Sequence, residues 1–271
     1  MLKLAHHTLT ATGERPTKAF LFLHGILGLG NNWRGMARAL VEARPEWAAV
    51  LVDLRHHGDS LNFPPPDDLE AAASDVRALI DSFELPVRGI LGHSFGGKVA
   101  LQTMRELPEP LEVAIIVDVD PSDTEARSRP AAERFIAILR TIEYRRFDSR
   151  RDFIEALVEG GSDQASAEWL AMNLVRDEEG FRFGPDLDAI EHLLDSHLAT
   201  DLMELCLSPP AGTRLHFIRG ARSSAVAPET MERLEAAAAA GKIDLIVAPD
   251  AGHNVHVQAP DAIRGVFERL P

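Results

Sequence analysis

The sequence predicts a doubly wound α/β architecture with a mostly parallel sheet. Three observations carry this expectation. Six short apolar runs recur along the chain, each followed by a polar turn. Amphipathic stretches of helical period separate them. One long block, residues 123–207, contains no such run. Short continuous apolar runs suit strands covered on both faces, and their alternation with helices is the pattern of parallel winding.

Taken in order, the expected strands are 19–23, 49–52, 89–91, 113–117, 215–218 and 245–247. The expected helices of the core are 33–43, 69–83, 95–106, 228–240 and 260–270. Asp67-Asp68 and Ala227-Pro228 supply acidic or proline helix starts. Block 123–207 offers helical stretches at 130–142, 151–159, 165–176 and 186–194, with a turn or ribbon at 178–183. The expected organisation is therefore a core of residues 1–122 and 208–271, with 123–207 as a helical cap over the carboxyl edge of the sheet. Ligands bind at that edge in open α/β sheets.

The strongest local signal is Gly92-His93-Ser94-Phe95-Gly96-Gly97, placed between an expected strand and an expected helix. A G-x-S-x-G in this context exposes a serine hydroxyl on a sharp, strained turn. The helix start adds free N–H groups and a positive dipole end. Ser94 is thus the candidate nucleophile. An oxyanion needs pre-aimed donors. The N–H of Phe95 is one candidate, and that of Ile26, in His24-Gly25-Ile26-Leu27-Gly28 after the first strand, is the other. His24 and Gly25 are expected beside substrate.

Of 11 histidines, His253 follows the last strand in a loop before the final helix, where a late base belongs. His256 is its nearest rival. His253-x-x-His256 also suggests a metal pair, but no third ligand cluster is visible, so neither metal nor cofactor is expected. The acid is less clear. The loop after 215–218 reads Gly220-Ala221-Arg222-Ser223-Ser224-Ala225-Val226 and has no carboxylate. The strand before it ends in Asp118-Val119-Asp120-Pro121. Asp118 is the better placed, with Asp120 and Asp250 as alternatives. Ser223 or Ser224 is then free to hydrogen-bond the acid or the imidazole. Asp53 and Arg55 are expected to pair locally in the loop that carries them.

Composition bounds the rest. Of 271 residues, 45% are hydrophobic, enough for a real core, and the net charge of −14 argues against nucleic acid and anionic membranes. The one cysteine, Cys206, permits no internal disulfide and fits a reducing compartment; a buried apolar role suits it better than a nucleophilic one. No stretch is long and apolar enough for a signal peptide or a bilayer span, so a cytoplasmic protein with no stable membrane insertion is expected. Arg127, Arg129, Arg134, Arg140, Arg145, Arg146, Arg150 and Arg151 form a local basic run in the expected cap. It is readable as a phosphate receptor or as a solvated face paired with Glu133, Glu143 and Asp148. Trp169 and Met172 are the candidate acyl-pocket residues, with Phe135, Ile138, Leu139 and Leu193 as further apolar lining.

Together HGILG at 24–28, VDLRHHGDS at 52–60, GHSFGGK at 92–98, VDVDP at 117–121, DEEGFRF at 177–183, the GxxS turn at 220–223 and AGH at 251–253 resemble the α/β-hydrolase superfamily. The closer likeness is to the YbfF-type bacterial esterases and their eukaryotic relatives. The resemblance covers nearly the whole chain and implies the α/β-hydrolase fold. It also implies an aspartate acid after the sixth strand of that fold, assisted by a serine after the seventh, which fall on Asp118 and Ser223. The implied substrate is a small-molecule acyl ester or thioester of short to medium chain, including acyl-CoA. His56, where a small residue or asparagine is usual, and Asp120 are departures. Carbon–carbon hydrolases, cofactor-free haloperoxidases and acyltransferases share the serine group and stay open. A ligand-receptor pseudo-hydrolase is the non-enzymatic alternative, while Ser94 argues against dehalogenases and epoxide hydrolases, which use an aspartate nucleophile.

Overall fold

The computed structural model describes residues 2–270. Its first half runs β1 (His6–Leu9), β2 (Lys18–Leu23), α1 (Arg34–Ala43), β3 (Trp47–Val52), α2 (Leu69–Asp81), β4 (Val87–His93), α3 (Phe95–Glu106) and β5 (Val113–Val117). Next come α4 (Glu125–Arg140), α5 (Arg150–Glu159), α6 (Gln164–Leu170), β6 (Leu174–Asp177), β7 (Gly180–Phe183), α7 (Leu187–Ala199) and α8 (Met203–Leu207). The chain then returns through β8 (Arg214–Gly220), α9 (Pro228–Ala239), β9 (Asp244–Ala248), α10 (Val255–Gln258) and α11 (Pro260–Phe267).

Seven strands form one sheet in the order β1-β3-β2-β4-β5-β8-β9, parallel throughout except for β1 at the edge. The two-residue period of a strand divides its side chains between two cores. Ala19, Leu21 and Leu23 of β2 face the core covered by α2, α3 and α9. Phe20 and Phe22 face the opposite core, among Trp33, Trp47 and Phe267, under α1 and α11. That double cover is why the central strands read as unbroken apolar runs.

Residues 123–207 leave the sheet after β5 and return before β8. Their apolar side chains, including Leu139, Phe153, Leu170, Ile190 and Leu193, are buried and continue the α2–α3 core. Phe153 stacks on Phe183 at 5.9 Å and meets Phe147 edge-on, so the β6–β7 ribbon is fixed by aromatic packing. Leu139 and Leu193, expected as pocket lining, are wholly buried in this packing.

Three boundaries differ from expectation. β1 was unforeseen because His6–Leu9 is short, polar and exposed, and gains its strand conformation from pairing with β3. α4 begins at Glu125, and Pro130, expected at its start, sits inside it. As the sixth residue of α4, Pro130 forfeits the intrahelical bond that an N–H there would make to the Ala126 carbonyl. The helix expected over 165–176 ends at Leu170, where the Asn173 side chain takes the Leu170 carbonyl at 3.3 Å and the chain turns into β6.

Candidate active site

β4 ends directly at Ser94, and α3 starts at the next residue. Ser94 has φ 53° and ψ −121°, a sparsely populated conformation of the kind that costs an L-residue about 1–3 kcal/mol. Its N–H donates to the Val117 carbonyl at 3.0 Å, which fixes the turn to the neighbouring strand. The helix folds back so closely that a β-carbon on Gly92 would lie 2.1 Å from the Gly96 carbonyl oxygen. One on Gly96 would lie 2.4 Å from that of His24. Only glycine fits either position.

Asp118 follows β5 as Ser94 follows β4, and His93 pairs with Val117 in the register. The two side chains therefore leave adjacent strands at the same edge. Asp118 also has a positive φ, 47°, and is wholly buried. Its carboxylate is saturated with donors: the Gly220 N–H reaches Oδ1 at 2.9 Å, and the Ser223 hydroxyl reaches Oδ2 at 2.5 Å. His253 Nδ1 lies 2.8 Å from the same Oδ2. Since the carboxylate only accepts, Nδ1 carries the proton and Nε2 is left bare in the neutral ring. The His253 side chain is 45% exposed, so its far edge is open to solvent. Its main chain is held from below, because His93 Nε2–H donates to the His253 carbonyl at 2.9 Å and the two rings lie 4.6 Å apart. Burial pushes the His93 pKa well below its ordinary value, so that neighbour stays neutral.

The loop after β2 comes up against this group. A β-carbon on Gly25 would lie 3.4 Å from Ser94 Cβ. Gly28 N–H closes a turn onto the Gly25 carbonyl at 2.9 Å, with Ile26 at its crest. Phe95 opens α3, so its N–H lacks an intrahelical acceptor. The structure thus brings together Ser94, His253, Asp118, Ser223, Gly25, Ile26 and Phe95. His24, expected at substrate, is turned inward. It is 2% exposed, and its nitrogens are taken by the Leu54 N–H at 3.0 Å and the Gly25 carbonyl at 2.8 Å.

The remaining candidates fall elsewhere. Asp120 accepts from Ser122, Ala227, Thr230 and Arg127, so it braces the exit from β5 and has no site-facing oxygen to spare. Asp250 is exposed on its turn, and Cys206 is buried with its thiol pKa pushed up by burial. His256 packs 4.7 Å from Trp33, and burial pushes its pKa down to about 4. Met172, expected in the acyl pocket, instead meets Asn32 at 3.5 Å and borders a cavity of about 260 Å³ that does not include Ser94. The short 3-10 turn after α6 carries it there. Trp169 is 37% exposed on α6. Asp53 and Arg55 do not pair: Arg55 reaches back to Asp75 and Asp67, while Asp53 accepts from Gly30 and Asp59. Among the arginines of the basic run, Arg127, Arg129, Arg140, Arg146 and Arg151 form ion pairs with carboxylates. The run is thus largely neutralised. Among the described residues no cluster of three ligating side chains suits a metal, and no helix is long and apolar enough to cross a membrane.

The sequence matches the alpha/beta hydrolase family over residues 20–266. The chain belongs to that family. It is an enzyme of the hydrolase type. It is 28% identical over 252 residues to the Mus musculus protein sn-1-specific diacylglycerol lipase ABHD11, covering 92% of this chain and 79% of that one. It is 22% identical over 275 residues to Esterase YbfF of Escherichia coli, covering 99% and 98% of the two chains. Among solved structures, a marine microorganism esterase superposes with a TM-score of 0.81 at 25% identity, and all of both chains is covered. Sequence reasoning missed the contributions of His57, His93 and Asn173. The paired histidines at 56–57 were a visible signal, whereas nothing in the sequence marks Asn173.

Proposed function

We propose that this hydrolase is a serine esterase acting on small-molecule carboxylic esters through an acyl-enzyme. Ser94 Oγ attacks the ester carbonyl and passes its proton to His253 Nε2. Asp118 holds His253 in the tautomer that leaves Nε2 free and stabilises the imidazolium that forms. Ser223 and the Gly220 N–H keep the Asp118 carboxylate in place. The N–H groups of Ile26 and Phe95 receive the oxyanion. His253 then protonates the departing alcohol. Water, deprotonated by the same ring, releases the acid and restores Ser94.

The observation that carries this reading is the buried Asp118, bonded at once to Ser223, Gly220 and His253 beside a serine held at positive φ. The esterase and lipase names of the relatives support an ester as substrate. Residues 123–207 are the cap that selects the acyl chain in this proposal, with Trp169 an accessible aromatic on it. The ion-paired state of the basic run favours simple esters over acyl-CoA.

Two experiments test the reading. A panel of p-nitrophenyl esters and acyl-CoAs of rising chain length should show ester turnover first. Ser94→Ala should lower kcat by about 10⁴-fold or more while the fold survives, because nucleophile and base act as a unit. A Ser94→Ala enzyme with near-normal turnover overturns the mechanism.

A further inference from the structure

Leu27 is a leucine in a conformation that favours glycine, with φ at 56°. Strain of this kind persists only where the surroundings over-determine the backbone. Here each side of Leu27 is held. Its N–H donates to His57 Nε2 at 2.8 Å, and its carbonyl accepts from Asn173 Nδ2 at 2.9 Å. His57 is wholly buried, and Asn173 is nearly so.

The His57 bond is one half of a reciprocal pair. His57 lies on the loop after β3 and takes a backbone N–H of the loop after β2. His24 lies on the loop after β2 and takes the N–H of Leu54, after β3, at 3.0 Å. The rings are 4.9 Å apart. A backbone N–H has only a proton to give, so both Nε2 atoms must be bare and both protons sit on Nδ1. These Nδ1–H groups donate to backbone carbonyls: His57 to Arg55 at 2.7 Å and His24 to Gly25 at 2.8 Å. Burial keeps both rings neutral, pushing His24 down to about 4 and His57 to about 3.

The Gly25 carbonyl and the Ile26 N–H belong to one trans peptide plane and point in opposite directions. With its carbonyl tied down by His24 and by Gly28, that plane leaves the Ile26 N–H facing away from the clamp. The next plane is pinned by His57, and the one after it by Asn173. The His57 ring also lies nearly parallel to that of Phe95, 28° off with centroids 6.4 Å apart, so it neighbours the residue whose N–H is the second donor. We propose that His57 and Asn173, together with His24, are positioning residues that fix the Leu27 turn and thereby aim the Ile26 N–H at the oxygen developing beside Ser94. This rests on the serine esterase reading above.

The test uses the full chain with p-nitrophenyl butyrate as substrate and an alkyl trifluoromethyl ketone as the probe, since its adduct places an oxyanion in the hole. His57→Leu removes the acceptor for Leu27, and His57→Gln restores an oxygen near the position of Nε2. The expected result for His57→Leu is a kcat loss of about 10²-fold, the scale of a lost oxyanion donor, with KM nearly unchanged. The ketone should bind more weakly by a similar factor, and His57→Gln should recover at least about tenfold of both losses. Asn173→Ala should lose about tenfold in kcat with the same pattern, and it decides the matter if His57→Leu does not fold. A purely structural role would lower the melting temperature yet leave kcat per folded enzyme and ketone affinity intact. That outcome in Asn173→Ala, or in a folded His57→Leu, overturns the proposal and leaves the esterase reading standing. In a Ser94→Ala background the ¹H–¹⁵N shifts of the Ile26 and Leu27 amides should still move on Asn173→Ala. Unmoved shifts overturn the clamp without reference to turnover, whereas residual full activity of Ser94→Ala overturns the esterase reading and the assigned role together.

Discussion

Asp118→Asn isolates the electrostatic part of the proposed mechanism. The amide has nearly the shape of the carboxylate, so packing around this buried side chain is kept. Its orientation is dictated by Gly220, whose N–H can only donate and must face the amide oxygen. The amide nitrogen then takes the Oδ2 position, 2.8 Å from His253 Nδ1 and 2.5 Å from the Ser223 hydroxyl. Serine can reverse its hydroxyl and accept. The protonated Nδ1 of His253 cannot, and two N–H groups would meet. The ring relieves this by moving its proton to Nε2, which is then unable to receive a proton from Ser94. Flipping the amide only transfers the conflict to Gly220. The expected loss in kcat is about 10³–10⁴-fold, equivalent to roughly 4–5.5 kcal/mol of transition-state stabilisation. KM for p-nitrophenyl butyrate should move little, and the thermal melt should stay cooperative. Asp120→Asn is the control, because its oxygens serve Ser122, Ala227, Thr230 and Arg127. That variant should lose stability before rate. A kcat for Asp118→Asn within about tenfold of the parent, or an equal kcat loss in folded Asp120→Asn, would refute the assignment.

Two further outcomes follow from buried nitrogen. Lys98, wholly buried on α3, donates to the carbonyls of Ser122 at 2.8 Å, His197 at 2.8 Å and Thr200 at 2.6 Å, and Lys98→Met leaves all three without that donor. Stability should fall by about 2–4 kcal/mol, read as a drop in Tm of about 5–15 °C, and an unchanged Tm would show that the ammonium adds nothing. Stability should also depend on pH through His24 and His57, held near 4 and 3 when folded against an ordinary value of 6.5. Between these limits the unfolded chain binds protons that the folded one does not. The contribution is therefore complete above about pH 6.5 and is lost as pH falls toward 4, at up to about 1.4 kcal/mol per pH unit for each ring. Denaturant titrations at pH 7, 6 and 5 that give one stability would contradict this.

The sheet was legible because its strands are double-covered. Phe20 and Phe22 serve one core, Leu21 and Leu23 the other, and the sequence consequently shows an apolar run with no polar break. The elbow was legible for a steric reason, since Gly92 and Gly96 are obligatory at backbone contacts near 2 Å. What escaped notice depends on partners distant in sequence. β1 is a strand because β3 offers it a ladder. α6 stops where Asn173 turns back, and Asn173 itself reaches the loop of Leu27, 146 residues earlier. His24 is expected beside substrate from the sequence, yet its ring is buried under the loop and bonded to the Leu54 N–H and the Gly25 carbonyl. Part of the pairing of the arginine run was hidden because some of its carboxylate partners, Asp177, Asp188 and Asp195, lie on other elements, while Glu125 and Glu155 share a helix with the arginines they meet.

Ser94 and Asp118 each extend one of two hydrogen-bonded neighbours, β4 and β5, and the Ser94 N–H is itself bonded to the last carbonyl of β5. Their separation is thus set by the ladder and persists for as long as the sheet does. His253 has a different mount, on a loop beyond the outermost strand, tethered by its ring to Asp118 and by its carbonyl to His93. The three groups are therefore mounted unequally: main-chain bonding between adjacent strands sets the distance between Ser94 and Asp118, whereas the place of the His253 ring depends on hydrogen bonds made by side chains.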